Sequence, residues 1–325
     1  MPAFFLNYQP PLLLRNGHAN TIASGFGRTV ENISYERKRL ELTDGDFLDL
    51  DFSVQGSDTV VLALHGLEGN SGRPYMLGMV HQARQRGWDA VAMNHRGCSG
   101  EDNRLLQSYH SGKSEDLAEV VEYLSTMDYT TILIVGFSLG GNIVLKYMGQ
   151  GGDRLPEKLR GAAAVSVPCH IESSQQKLAK GFNRVYTGRF MKTLKVKARA
   201  KKQLFPEAPF SIEELEAAKT LGEFDEFFTS RANGFVDAVD YWTKCSSKQF
   251  LPGIRVPTLL INAKDDPFLS EQCFPMAEAE ANPNFHLATP THGGHVGFSP
   301  NMRLKGVFCT EKTMCDFFAN RCLNI

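Results

Sequence analysis

The sequence predicts an α/β fold, with a mostly parallel sheet flanked by helices and one inserted helical cap. Two observations carry that expectation. Short, almost continuously apolar runs alternate with stretches of helical spacing through most of the 325 residues. This is the pattern of strands covered on both faces and joined by crossover helices. Between about Cys169 and Phe250 the alternation stops and the composition turns helical. The overall composition is ordinary for a globular chain, at 42% hydrophobic and 22% charged with 29 Gly and 15 Pro. Disordered, collagen-like and coiled-coil architectures are thereby excluded.

The elements follow in order. Residues 34–42 and 47–54 flank the turn Thr43-Asp44-Gly45-Asp46, which predicts an antiparallel hairpin. Thr59–Leu64 (TVVLAL) reads as a buried strand, residues 75–86 as a helix and residues 89–93 as the next strand. Residues 115–124 place Leu117, Val120, Val121 and Leu124 on one helical face. Residues 131–135 (TILIV) form another buried strand, residues 142–148 begin a helix, and residues 160–167 are a strand rich in Ala and Val. Strands at residues 258–262 and 285–287 complete the series. The division expected is a core of residues 1–168 and 251–325, with an N-terminal extension over about 1–33, and a cap over residues 169–250.

Basic and acidic residues nearly cancel, 35 against 36, for a formal net charge of −1. That balance removes the whole-chain electrostatic case for nucleic-acid binding. Seven dispersed cysteines without a CxxC pair fit reduced thiols, not a disulfide framework or a zinc ribbon. The opening MPAFFLNYQPPLLLRNG has short apolar runs broken by polar residues and prolines and lacks a basic leader, so no signal peptide is expected. With no apolar run of transmembrane length, the expectation is a soluble, cytoplasmic protein.

The most informative residues are Gly136-Phe137-Ser138-Leu139-Gly140, a G-x-S-x-G pattern after a buried strand and before a helix. Glycines relieve the clashes of a sharp turn there and let the serine stand above the sheet. The helix behind it points free N–H groups at the site, so Leu139 N–H is a candidate oxyanion donor. A second donor, Leu67 N–H, is expected from His65-Gly66-Leu67-Glu68-Gly69-Asn70 directly after TVVLAL. Gly66 and Phe137 are the expected substrate-binding neighbours, and His65 reads as a hydrogen-bonded structural residue.

A serine hydroxyl needs a base, and the base needs an acid to fix its tautomer. Downstream of Ser138, residues 258–262 end in Ala263-Lys264-Asp265-Asp266-Pro267, which puts a carboxylate past the C-terminal end of a strand. Asp266 is favoured because Pro267 anchors the turn; Asp265 stays open as the alternative. Thr291-His292-Gly293-Gly294-His295-Val296-Gly297-Phe298 then offers His295, favoured over His292 by the preceding Gly pair and the following apolar residues. As a metal set these residues are poor: His-x-x-His lacks helical i, i+4 spacing and has no intervening Glu. No metal is expected.

With these residues assembled, the chain resembles an α/β-hydrolase, and more narrowly the YheT-type esterases, kin to lipid-acting α/β-hydrolase-domain proteins of animals. The resemblance spans nearly the whole chain and is carried by RNGHANTI (15–22), HGLEG (65–69), NHRGCSG (94–100), YHSG (109–112), GFSLGGN (136–142), INAKDDPF (261–268) and HGGHVGF (292–298). It implies a mostly parallel eight-stranded sheet, a triad of Ser138, Asp266 and His295, and cofactor-free hydrolysis of carboxylic esters of small or lipid-like alcohols. Lipase, phospholipase or thioesterase chemistry on the same triad is the alternative, with a non-catalytic binding protein behind it. Arg96, Cys98 and His110 are read as structural, Arg96 and His110 within a hydrogen-bond network.

The cap carries a charge split. Residues 177–202 hold ten Lys or Arg and no acid, and residues 207–226 hold seven acids against Lys219 alone. Two roles follow for the basic segment, whose apolar residues are interleaved with the charges. It covers the site with its lysines solvated or paired to the acidic stretch, or it meets anionic lipid weakly at a membrane surface. Oligomeric state is not readable.

Overall fold

The computed structural model describes residues 6–30 and 33–323. The reading of the first seventeen residues and of the N-terminal extension therefore falls partly outside the described residues. Eight strands form one sheet: β1 (Glu36–Glu41), β2 (Phe47–Ser53), β3 (Thr59–Leu64), β4 (Asp89–Asn94), β5 (Thr131–Phe137), β6 (Leu159–Val165), β7 (Thr258–Ile261) and β8 (Phe285–Ala288). Their spatial order is β1-β2-β4-β3-β5-β6-β7-β8. The hairpin strand β1 pairs antiparallel with β2, and β2 antiparallel with β4. All other neighbours are parallel.

Burial on both faces explains the unbroken apolar runs. Along β3, Val60, Leu62 and Leu64 enter one apolar layer, and Val61 and Ala63 enter the other. The first layer is closed by α3 (Ser114–Ser125) and α4 (Leu139–Gly151) through Leu117, Val121, Ile143 and Val144. The second is closed by α2 (Pro74–Gln85) through Met76, Met79 and Val80, and by the C-terminal helix through Met314, Phe317 and Phe318. Each such side chain contributes roughly 1.5–3 kcal/mol on burial, so these layers set the register of the strand ends that carry the site.

A short helix near the N-terminus, α1 (Gly17–Gly27), precedes the sheet. Between β6 and β7 the chain is helical: α5 (Ile171–Leu178), α6 (Asn183–Leu204), α7 (Ile212–Ala217), α8 (Leu221–Phe224), α9 (Ser230–Ala232) and α10 (Ala238–Cys245), with a π turn over Asp225–Thr229. Side-chain caps start several of these helices, Ser211, Thr220 and Asp237 each accepting a backbone N–H. A separate apolar cluster holds the cap together: Leu194, Ala198, Leu215, Phe224 and Phe228, joined by Phe268 from the loop after β7. The last helices are α11 (Met276–Ala281) and α12 (Cys309–Phe318).

Two differences from the sequence reading have local causes. Helix α4 begins at Leu139, directly after Ser138, three residues before the stretch in which helical spacing is visible. Gly140 and Gly141 hide that first turn, because a Cβ at Gly140 would come within 2.7 Å of Leu64 O and one at Gly141 within 3.1 Å of Gly136 O. Helices α1, α11 and α12 were not among the elements read from sequence. Helix α1, with three glycines and one strongly apolar pair, has no core-facing period to detect. Among the described residues no helix is long and apolar enough to cross a membrane.

Candidate active site

The site lies at the C-terminal edge of the parallel strands, where β3, β5 and β7 deliver their loops. Ser138 joins the end of β5 to the start of α4 with φ 53° and ψ −119°. A residue with a Cβ in that region costs about 1–3 kcal/mol, held by its surroundings. Ser138 N–H is tied to Val165 O at 2.9 Å. A Cβ at Gly136 would meet Gly140 O at 2.6 Å, so the turn is too tight for any larger residue there.

His295 Nε2 lies 2.8 Å from Ser138 Oγ. Its Nδ1 lies 2.9 Å from Asp266 Oδ2 and 3.1 Å from Oδ1. Asp266 Oδ1 also accepts Phe268 N–H at 2.8 Å. The Asp266 carboxyl is 0% exposed and the His295 ring 9%. The Phe268 ring stacks on His295 at 4.0 Å between centroids, closing one face of the imidazole. A carboxylate against Nδ1 fixes the tautomer: Nδ1–H donates to Asp266, and Nε2 accepts from the serine hydroxyl.

Asp265 faces elsewhere. Its Oδ1 accepts Gly294 N–H at 2.9 Å, and its Oδ2 lies 3.4 Å from His292 Nδ1. Burial raises its carboxyl above the ordinary aspartate range. Asp265 and His292 thus brace the histidine loop from below, and the alternative that the sequence leaves open is separated by geometry.

The strand-end loop His65–Asn70 presses against the elbow, for a Cβ at Gly66 would lie 3.1 Å from Ser138 Cβ. Gly66 N–H donates to Tyr75 Oη and Glu68 N–H to Tyr109 Oη, each at 3.0 Å. Leu67 N–H, between them, has no acceptor among the described residues, nor has Leu139 N–H at the first position of α4. Phe137 stands differently from its expected substrate contact: its ring is buried under the sheet against Tyr75, centroids 4.8 Å apart. The strand's alternation turns that side chain away from the face on which Ser138 emerges.

His65, His95 and His110 are structural in their contacts. His65 Nε2 accepts His95 N–H at 3.1 Å, and His65 Nδ1 meets Gly66 O at 2.8 Å. Burial pushes His95 down to about 4 and His110 down to about 3. Arg96 is held by Asp116 through Nε at 2.8 Å and Nη2 at 2.6 Å, and reaches Asp46 at 3.1 Å. Cys98 is buried, its thiol pushed up to about 11.

Three contributors lie outside the residues that the sequence singled out. Thr21 Oγ1 on α1 accepts His295 N–H at 2.8 Å, and Thr21 donates to Gly17 O at 2.6 Å. Ser166 Oγ accepts Val296 N–H at 2.9 Å. Phe268 covers the imidazole. Thr21 and Phe268 lie inside the RNGHANTI and INAKDDPF segments, so the segments were visible and these two roles were not. The loop these residues hold has positive φ at Gly294, Val296 and Phe298, and it depends on such anchors.

Two cavities meet at Ser138 and His295. One runs under the cap past Leu139, Ile171, Leu178, Leu194, Phe224 and Phe228, and encloses ≈ 1110 Å³ including its mouth. The other opens between α1 and α6 past Ile22, Phe26, Arg73 and Arg189.

A family model described as alpha/beta hydrolase fold matches residues 59–299. The chain belongs to the α/β-hydrolase family. It is 37% identical over 289 residues to the Escherichia coli K12 protein named "Putative esterase YheT", covering 87% of this chain and 84% of that protein. It is 28% identical over 326 residues to the human protein named "Phospholipase ABHD3", covering 97% of this chain and 78% of that one. Among solved structures, the Pyrococcus furiosus esterase Pf2001 superposes with a TM-score of 0.59 at 16% identity, over 98% of this chain and 97% of that one. The α/β-hydrolase fold expected from the sequence, with its eight-stranded, mostly parallel sheet, is the fold observed. As a member of this family with esterase-type and phospholipase-type relatives, the protein is a hydrolase.

Proposed function

We propose that the protein is a serine-dependent carboxylic ester hydrolase acting through an acyl-enzyme, with Ser138, His295 and Asp266 as its triad. The observation that carries this reading is the unbroken chain Ser138 Oγ–His295 Nε2–Asp266, at 2.8 and 2.9 Å, on a strained turn at a helix N-terminus. Ser138 Oγ attacks the acyl carbonyl carbon as its proton passes to His295 Nε2. Leu67 N–H and Leu139 N–H receive the oxyanion, a stabilisation worth about 10²–10³ in rate per donor. The bond to the alcohol oxygen breaks as His295 returns that proton to the leaving group. Water, deprotonated by His295, then attacks the acyl-enzyme; the serine–acyl bond breaks, giving the acid and free Ser138.

Leu, Ile and Phe side chains supply ten of the 28 residues lining the cavity under the cap, with Arg96, Lys197 and Asp225 among its polar ones; the apolar part suits an acyl chain and favours lipid-like esters. A phospholipase-named relative supports the same class. Thioesters use the same nucleophile and remain a second substrate class for the test. The experiment is hydrolysis of p-nitrophenyl esters of graded chain length by the wild type and Ser138→Ala. Expected are activity lost by several orders of magnitude in the variant and an optimum at medium to long chains. Near-wild-type turnover by Ser138→Ala, or no labelling of Ser138 by a fluorophosphonate, would overturn the mechanism.

A further inference from the structure

Helix α6 is the long basic helix of the cap, and its two faces differ sharply. Thr187, Met191, Leu194 and Ala198 are buried. At 100° per residue, Phe182, Val185, Arg189, Lys192 and Val196 fall together on the opposite side. Phe182, Val185 and Val196 are 52%, 61% and 58% exposed. Some of the helix's cations are already partnered: Lys195 and Arg199 reach Glu216, and Lys197 reaches Glu68. Among the described residues, Lys180, Arg184, Arg189 and Lys192 form no ion pair. The acidic stretch of the cap thus neutralises one flank and leaves the outward face basic.

Helix α1 lies alongside and extends that face. His18 stacks on Tyr186 and meets Phe182 edge-on, and farther along, about two turns past His18 on α1 and about one past Tyr186 on α6, Arg189 lies over the Phe26 ring at 4.4 Å. Ile22 and Phe26 are 38% and 68% exposed. Neither residues 6–30 nor residues 177–202 contain an Asp or Glu. The seam between these two helices is the mouth of the second cavity, whose floor is Ser138 and His295.

We propose that the α1–α6 face is a docking surface for an anionic phospholipid bilayer, seating the cavity mouth on the membrane so that an ester enters from the lipid. The proposal rests on the hydrolase reading for its purpose but not for its contact. Exposed Phe, Ile and Val side chains beside cations without an ion pair, on two segments that carry no Asp or Glu of their own, match the composition of interfacial helices. Each such cation contributes about tenfold or less near an anionic surface, and the effect fades within a Debye length.

The test is flotation with vesicles of phosphatidylcholine alone or with one third phosphatidylglycerol, using both the wild type and Ser138→Ala. Binding to the anionic vesicles is expected, with little to the neutral ones and release in about 0.5 M salt, where the Debye length is roughly 4 Å. Arg189→Gln/Lys192→Gln is expected to weaken binding about 30-fold, and Phe182→Ser/Val185→Ser to weaken it as well. Arg154→Gln/Arg160→Gln, equal in charge and at the opposite edge of the sheet, is expected to change it little. Melting temperatures of all variants establish that each is folded. No binding to anionic vesicles, equal binding to neutral ones, equal effects of the two charge variants, or preference for an acidic polypeptide over the vesicles would each overturn the proposal. Loss of esterase activity in Ser138→Ala with binding retained separates the two readings: binding then stands whichever way the hydrolase assay falls.

Discussion

Replacing Asp266 by Asn tests the arrangement at its most specific point, because the structure dictates which way the amide must turn. The carboxyl has no access to water and serves two N–H donors, Phe268 N–H on Oδ1 at 2.8 Å and His295 Nδ1 on Oδ2 at 2.9 Å. An amide has one acceptor and one donor end. Phe268 N–H is a fixed backbone donor, so the introduced amide would keep its oxygen there and aim its NH2 at Nδ1. The imidazole must then carry its proton on Nε2, 2.8 Å from Ser138 Oγ, where it cannot accept the serine's proton. A wrong tautomer in such a triad costs about 10⁴ in kcat, or roughly 5.4 kcal/mol. In contrast, Asp265→Asn keeps its acceptor on Gly294 N–H and should cost less than about tenfold. Steady-state kcat and KM on one p-nitrophenyl ester decide between them. Asp266→Asn within tenfold of wild type, or Asp265→Asn as the more damaging change, would refute the assignment.

Other predictions concern the residues around that chain. Thr21→Val removes the acceptor of His295 N–H; kcat should fall about tenfold with KM little changed, stability should drop by about 1–3 kcal/mol, and Thr21→Ser should restore both. Fluorophosphonate labelling rates and urea melts measure the two effects. Arg28 and Glu311 form a buried ion pair, with Nη2 2.8 Å from Oε2. Glu311→Gln should destabilise by about 3–5 kcal/mol and the double variant Arg28→Met/Glu311→Leu by much less, read from chemical unfolding. Burial raises Asp225 to about 7, with Gln175 and Trp242 donating to one of its oxygens. Its folded pKa lies above its unfolded value, so the folded state binds the extra proton. Its stabilising effect is complete below about pH 4 and is lost as pH rises to about 7, by up to about 4 kcal/mol. Asp225→Asn should remove that slope from the pH dependence of unfolding, and a slope identical to wild type would count against it.

What the sequence made legible divides along the length scale of the interactions. Strands β3, β5 and β7 were readable because burial on both faces needs only an apolar run. Ser138 was readable because a sharp turn demands glycines within two residues of it, and the structure shows each flanking glycine facing backbone that a Cβ would strike. The choice between Asp265 and Asp266 was not settled by local pattern. Adjacent residues on a turn point in different directions, and which direction meets His295 depends on a loop 29 residues away. Thr21 lay further out of reach, since its contact with His295 N–H spans 274 residues and uses no recognisable spacing.

The same contact explains why a small, glycine-rich helix that adds little core belongs to the site. The histidine loop has three positive-φ residues and no regular structure, so its backbone needs outside partners to hold Nε2 within reach of Ser138. Helix α1 supplies one through Thr21. A Cβ on Gly294 would collide with the Gly17 carbonyl and reach Thr21 Oγ1 at 2.7 Å, so both surfaces must stay bare for that approach. One element thus holds the His295 backbone from its inner side and, from its outer side, forms the rim of the cavity that opens beside α6. Because Thr21 faces His295 and not the outer face, Thr21→Val should leave vesicle binding intact while turnover falls.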